Sequence, residues 1–199
     1  MKSVRFSVIV PTCGRPSLIH TLKSIVAARP APEDEVIVAG DGSQPDSRAI
    51  CEQLLSLFDC HLRYIETLKR TACWGNEQRR LAITVARGTH LSFMDDDDAY
   101  VPGALASMRA GIRKLPRGPV LFQMRFDNGT VLWRERRLTA GNVGSPMIVV
   151  PNDRGRLGSW GTKLEGDYHF VKETAEKCGG EESISWVKEV VAEIRPVSP

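Results

Sequence analysis

The sequence predicts an α/β fold: a mostly parallel central sheet flanked by helices, with a small antiparallel part toward the C-terminus. Three observations carry this. In the first hundred residues, four short β-branched runs alternate with three segments of helical apolar spacing. The runs suit strands buried on both faces, which implies a parallel sheet covered by helices. Beyond Pro102 an Asn-Gly turn separates two extended runs, a hairpin signal.

The first strand is read over Val4 to Val10, with Pro11 expected to stop it. A helix over Ser17 to Ala28 follows from Leu18, Ile19, Leu22, Ile25 and Val26, with Pro16 suited to its first turn. The second strand is EVIVA, Glu35 to Ala39, closed by Gly-Asp-Gly-Ser. Asp46 to Phe58 reads as a helix and His61 to Glu66 as the third strand. Asn76 to Arg87 reads as a third helix ended by Gly88, and Thr89 to Met94 as the fourth strand. A helix to about Leu115 comes next, then strands Val120 to Phe126 and Thr130 to Arg134 around Asp127-Asn128-Gly129. Pro146 to Val150 is another strand, and 151–162 a glycine-bearing loop. Lys163 to Cys178 looks helical, Ser183 to Glu193 is a short helix or strand, and IRPVSP reads as frayed.

A chain of 199 residues can bury a real core, and no composition shift marks a boundary. A single domain is expected, with about 1–101 as one half and about 102–199 as the other. The five cysteines are odd in number and scattered, with no C-x-x-C. They argue against a disulfide framework or zinc site and fit a reducing cytoplasm. The N-terminal apolar run is too short for a signal peptide. No stretch approaches the roughly 18 apolar residues of a membrane span. Net charge is only +3, but Arg109 to Arg156 holds ten Lys or Arg against three acids, a local excess of +7. That segment is either a solvated surface or a face for phosphates.

The text THLSFMDDDDAY ends a strand in four aspartates. Ligands of open parallel sheets bind at the carboxyl ends of strands. Two other strands end in polar text there, PTCGR and GDGS. Crowded carboxylates need protonation, a cation or a metal. Oxygen-only donors favour Mg²⁺ or Mn²⁺, ions that fill open positions with substrate phosphates. The plain alternative is a solvated acidic loop capping the next helix.

SVIVPTCGRPSLIHTLKSI, EVIVAGDGS and GNEQRRLAITVARGTHLSFMDDDD together resemble the nucleotide-binding half of glycosyltransferase family 2, whose enzymes have the GT-A fold. Arg79 matches the family's Arg-Asn pair, with Arg80 in place of Asn. Ala86 and Gly88 match A-x-G, and Asp95, Asp97 and Asp98 match D-x-D-D, with Asp96 at the variable position. The resemblance covers roughly residues 4–105 and implies a nucleotide-diphosphate sugar donor. Pro11 to Arg15, Thr12 included, would line base and ribose. Asp41 would accept from a base N–H, which uracil offers; otherwise it is a turn residue. Arg79, Asp95 and Asp96 would serve the nucleotide. Asp97 and Asp98 would hold Mn²⁺ or Mg²⁺, with Asp95 near ribose and metal.

The family's catalytic base is the Asp of a later E-D pair. KLEGDYHF offers Glu165 and Asp167; Asp167 is the choice, although Gly166 stands where the Glu belongs. Both acids would equally suit a helix's first turn. His169 is a further candidate metal ligand, but two residues from Asp167 on a helix it would diverge from it. Trp160 and the GRLGSWG loop suit either a sugar contact or core packing, as does Trp74.

The resulting expectation is a metal-dependent, inverting transfer of sugar from a UDP-sugar to an acceptor hydroxyl. The acceptor stays open among a saccharide, a protein and modified DNA. A nucleotidyltransferase is the first rival, though PTCGRPS lacks its Gly-rich loop. A non-catalytic nucleotide-binding module and a metal nuclease are the others.

Overall fold

The computed structural model describes residues 4–112, 118–162 and 164–195. Strands β1 (Phe6–Thr12), β2 (Glu35–Gly40), β3 (His61–Glu66) and β4 (His90–Phe93) run parallel in the order β3-β2-β1-β4. They alternate with α1 (Leu18–Ala27), α2 (Pro45–Leu54) and α3 (Asn76–Val85). Every residue of β1 and β2 is buried, as a sheet covered on both faces requires.

The second half completes the same sheet. Its elements are β5 (Ala99–Tyr100), α4 (Ala104–Ile112), β6 (Val120–Phe126), β7 (Val131–Leu132), β8 (Ile148–Pro151), α5 (Gly166–Cys178) and β9 (Ser185–Ile194). β8 lies antiparallel beside β4, and β6 antiparallel beside β8. β9 follows parallel to β6, and β5 closes the path antiparallel to β9. β5 also packs on α1, where Tyr100 N–H donates to Ser24 Oγ at 3.1 Å and Tyr100 O–H to the Phe93 carbonyl at 3.2 Å. The sheet therefore curls, and α5 packs its Phe170 under the end of β4. Trp160 and Phe170 stack at 4.6 Å, and Phe93 meets both edge-on at 5.0 and 5.4 Å.

Several expectations need correction. Pro11 does not stop β1, which pairs with β2 through Thr12. The Ile9 carbonyl accepts from Met94 and the Thr12 carbonyl from Asp41. This alternation turns the nitrogen of Pro11 toward β4, beyond that strand's last pair, where no ladder bond is lost. The segment 130–134 shrinks to β7. Ser183 to Glu193 resolves as strand β9. Residues 113–115 of the expected helix, Lys163 and the last four residues of IRPVSP lie outside the described residues.

α3 ends at Val85, before Gly88, and Ala86 is already extended with ψ 135°. Gly88 does not cap the helix; it lets β1 pass. A Cβ there would stand 2.5 Å from the Ser7 nitrogen and 2.7 Å from the Phe6 carbonyl carbon. These are backbone atoms of a central strand and cannot move aside. Gly88→Ala is expected to destabilise the fold by about 1–3 kcal/mol, as overpacking does, measurable as a lower urea midpoint.

Candidate active site

The carboxyl ends of β1, β2 and β4 meet at one rim. Thr12 links two of them: its carbonyl accepts from Asp41 N–H at 2.9 Å, and its hydroxyl donates to Asp96 Oδ2 at 2.7 Å. A cleft of about 430 Å³ opens there. Pro11, Thr12, Cys13, Arg15, Asp41, Arg79, Asp95, Asp96, Asp97 and Asp167 all line it, together with Ser145, the 72–76 loop, Gln78 and Leu164. Residues more than 150 positions apart are thus brought to one place.

The carboxylates differ in their surroundings. Arg15 Nη1 donates to Asp96 Oδ1 at 3.0 Å and to Asp97 Oδ2 at 2.6 Å. Burial raises the pKa of Asp96, against the Thr12 hydroxyl and Arg15, which hold it down. Burial also raises that of Asp97, with Arg15 opposing and Asp95 adding to the rise. Asp41 Oδ1 accepts from Thr71 N–H at 2.7 Å and Thr71 O–H at 2.9 Å, and Oδ2 from Ala72 N–H at 3.1 Å. Burial works against its ionised form, but these donors outweigh it and its pKa falls. Asp41 is therefore ionised and anchors the 71–72 loop while facing the cleft. The side chain of Gln78 adds a further donor to this carboxylate, so a base N–H would share or replace one of these partners.

Arg79 is the pivot of the far wall. Its side chain is 4% exposed. Nη2 donates to Asp95 and to Ser145 Oγ at 2.9 Å, and Nη1 to the Trp74 carbonyl at 2.8 Å. The guanidinium lies 4.6 Å over the Trp160 ring. Ser145 in turn donates to Asp167 Oδ1 at 2.8 Å. Asp167 sits in the first turn of α5, and burial pushes its pKa up to about 6, with Arg79 and Ser145 restraining the rise and Asp95 adding to it. Glu165, the other acid of that segment, is exposed and outside the cleft lining. Gly166 stands where a Glu was expected because a Cβ there would meet Asn76 Oδ1 at 2.7 Å. The buried Asn76 already fills that space.

Two expected metal ligands are not brought to the cleft. Asp98 is buried, and its Oδ1 accepts from Arg195 N–H at 3.2 Å. Burial and the charges of Asp95 and Asp97 push its pKa up to about 8, so it is largely neutral near pH 7. His169 is half-buried on α5 with its ring edge-on to Tyr168 at 5.2 Å, outside the lining. Among the described residues no three His, Cys, Asp or Glu side chains gather as a ready-made metal site. What the cleft does offer is Asp95 and Asp97, oxygen donors that suit a hard ion needing only one or two carboxylates beside phosphate and water.

Of the two readings of Trp160, the structure selects core packing: it is 1% exposed and packs beneath Arg79, so it cannot stack on a ligand. Gly158 of its loop backs onto the Phe170 carbonyl of α5, not onto the cleft. Ser145 and Asn76 were not foreseen. Ser145 lies in no motif and takes its place only from the return of β8 to β4, whereas Asn76 opens α3 within the third stretch that resembles the family and meets α5 only at Gly166. The basic segment is not one solvated face, since Arg109 is largely buried, pairs with Asp34 and lies 5.0 Å over the Phe6 ring.

All five cysteines are free thiols, and no helix among the described residues is long and apolar enough to cross a membrane. The model of the family described as Glycosyl transferase family 2 matches residues 7–169. A Campylobacter jejuni GalNAc(5)-diNAcBac-PP-undecaprenol beta-1,3-glucosyltransferase is 28% identical over 104 residues, 52% of this chain and 33% of that protein. An uncharacterized glycosyltransferase of Haemophilus influenzae is 26% identical over 183 residues, 83% of this chain and 60% of that protein. The chain thus spans between a third and three fifths of the length of these relatives. Among solved structures, S. aureus TarS in complex with UDP-GlcNAc superposes with a TM-score of 0.78 at 20% identity, over 98% of this chain and 59% of that one. Pyrobaculum calidifontis mannosyltransferase PcManGT, with GDP-Man and Mn²⁺, gives 0.72 at 18% identity, over 100% and 58%. At such identities the likeness is one of fold, and the fold is GT-A.

Proposed function

The chain belongs to glycosyl transferase family 2, and from that premise we propose that it transfers a sugar from a nucleotide-diphosphate donor to an acceptor hydroxyl, with inversion. The observation that carries this is one cleft lined together by Asp41, the Asp95–Asp97 run and Asp167. Pro11 to Arg15 and Asp41 take the nucleoside, with UDP favoured because uracil offers an N–H to a carboxylate acceptor. Among the described residues five carboxylates against two guanidiniums line the cleft. A diphosphate is repelled by that excess unless a cation enters with it.

Asp97, with Asp95, would hold Mn²⁺ or Mg²⁺, which supplies Lewis-acid neutralisation of the departing diphosphate. Arg15 and Arg79 add fixed positive charge. Asp167 takes the acceptor's hydroxyl proton as general base. The acceptor oxygen forms the new bond to the sugar's anomeric carbon. The bond from that carbon to the diphosphate oxygen breaks, and the electron pair leaves with the nucleoside diphosphate.

The test is calorimetric titration of UDP, GDP and CDP, each with and without Mn²⁺, into the protein and into Asp97→Ala. One diphosphate is expected to bind with Mn²⁺ and to lose about tenfold or more in affinity without it or in the variant. Absence of binding under every condition overturns the reading. Consumption of a nucleotide triphosphate and sugar phosphate would instead assign a nucleotidyltransferase.

A further inference from the structure

Trp74 is the feature the proposed reaction leaves unused. It is 61% exposed, whereas Trp133 and Trp160 are buried at 6% and 1%. Of the four tryptophans only Trp74 lines the cleft. Its backbone is left-handed at φ 48°, between Ala72 at 49° and Gly75 at 75°. Such backbone is unfavourable for non-glycine residues, and it clusters at ligand sites. The loop is nevertheless held firmly. Arg79 donates to the Trp74 carbonyl at 2.8 Å, and a Cβ on Gly75 would meet Pro11 Cβ at 2.8 Å. The most costly side chain to leave in water is thus kept at the mouth by a fixed backbone.

The loop that carries it reaches the residues assigned to the nucleoside, through Ala72 N–H to Asp41 and Gly75 against Pro11, and also those around the proposed base. Through Arg79 and Ser145 the Trp74 carbonyl is two side chains from Asp167. The neighbouring Asn76 packs on Gly166. Leu164, three residues before Asp167, is 68% exposed and lines the same cleft. An exposed indole and an exposed leucine therefore line the same cleft as the more deeply buried carboxylate proposed as base. Among the described residues the cleft's two cations, Arg15 and Arg79, are both paired with aspartates, so neither is left over to hold a charged acceptor in addition to the diphosphate.

We propose that Trp74 and Leu164 form the acceptor platform, and that the acceptor is a neutral saccharide whose ring lies with its apolar C–H face on the indole. An indole face beside a carboxylate matches a pyranose, which presents C–H groups on its faces and hydroxyls at its edge. A nucleic acid could stack on the same ring, but its phosphates would meet the carboxylate excess of the cleft. This inference rests on the glycosyltransferase reading.

The experiment uses intrinsic tryptophan fluorescence. The cleft is first filled with Mn²⁺ and the tightest-binding of UDP, GDP and CDP. Methyl β-D-glucopyranoside, methyl N-acetyl-β-D-glucosaminide, cellobiose and a single-stranded oligothymidylate are then titrated. A saturable change with at least one saccharide is expected, absent in Trp74→Ala and regained in size of binding, by calorimetry, in Trp74→Phe. Saccharide affinity should fall about tenfold in Trp74→Ala, and nucleotide affinity should stay within about twofold. No response to any saccharide overturns the proposal, as does a response to the oligothymidylate alone. A loss of nucleotide affinity in Trp74→Ala also overturns it, by moving the tryptophan to the donor. Failure of the diphosphate to bind in the first step would instead count against the glycosyltransferase reading itself.

Discussion

Asp167→Asn is expected to lower the rate of sugar transfer by about 10³-fold, inside the span that general acid–base catalysis usually supplies, and to leave nucleotide diphosphate affinity unchanged. Asparagine keeps the size of the side chain and can still accept from Ser145, but it cannot take a proton. The wild-type rate carries its own signature. Asp167 titrates near 6 because burial disfavours its charge, while Arg79 and Ser145 limit the rise. Below that pH the carboxyl is protonated and idle as a base. The rate should therefore climb as pH rises through about 6 and then level, and the limb should vanish in Asp167→Asn. Transfer to water serves as the readout where no acceptor is supplied. A variant that keeps more than about a tenth of the wild-type rate would remove Asp167 from the role of base.

Much of this site can be read in the sequence, and the reason is local. β1, β2 and β4 are apolar runs of ordinary length, so their ends are visible in the text, and a parallel sheet brings equivalent ends to one rim. Asp41, Arg15 and Asp95 to Asp97 follow from that rule alone. The sequence does not separate Asp97 from Asp98. They are neighbours in the chain, yet one faces Arg15 in the cleft and the other is turned to the backbone of Arg195. The glycine of A-x-G reads as a helix stop, but its role is long-range, letting Phe6 and Ser7 pass. Ser145 and Trp160 depend on where β8 and α5 return, and no local spacing encodes a return. Trp160 is the clearest case: a tryptophan in a glycine loop suits a sugar contact, and only the stack with Phe170 shows that it floors Arg79.

Arg79→Met is expected to cost about 1–3 kcal/mol of stability, the usual result of leaving buried acceptors and a partly buried carboxylate without their donor, and to lower the rate of transfer about tenfold or more while leaving it measurable. Methionine replaces the stem and most of the contact with Trp160. It supplies none of the donors that Asp95, Ser145 and the Trp74 carbonyl now share. Asp95 is left without its cation in a partly buried place, and the 72–76 loop loses its tie to α3. Arg79→Lys keeps the charge but not the fork, since an ammonium cannot serve three separated acceptors in one plane. Its loss should be smaller, and its transfer rate should still fall. The double variant Arg79→Met/Asp95→Asn discriminates the cause. If the cost is chiefly an unpaired carboxylate, removing that carboxylate returns part of the stability, because deleting both members of a pair is milder than deleting one. Urea midpoints for the four proteins settle it. A loss below about 1 kcal/mol in Arg79→Met would mean that the guanidinium merely fills space above Trp160. Nor would the wall that joins the nucleotide end of the cleft to Asp167 then depend on Arg79. In that event the Asp167 limb should keep its position in Arg79→Met; if Arg79 is the hinge of the wall, the limb moves to higher pH, because the cation that favours the ionised carboxylate is gone.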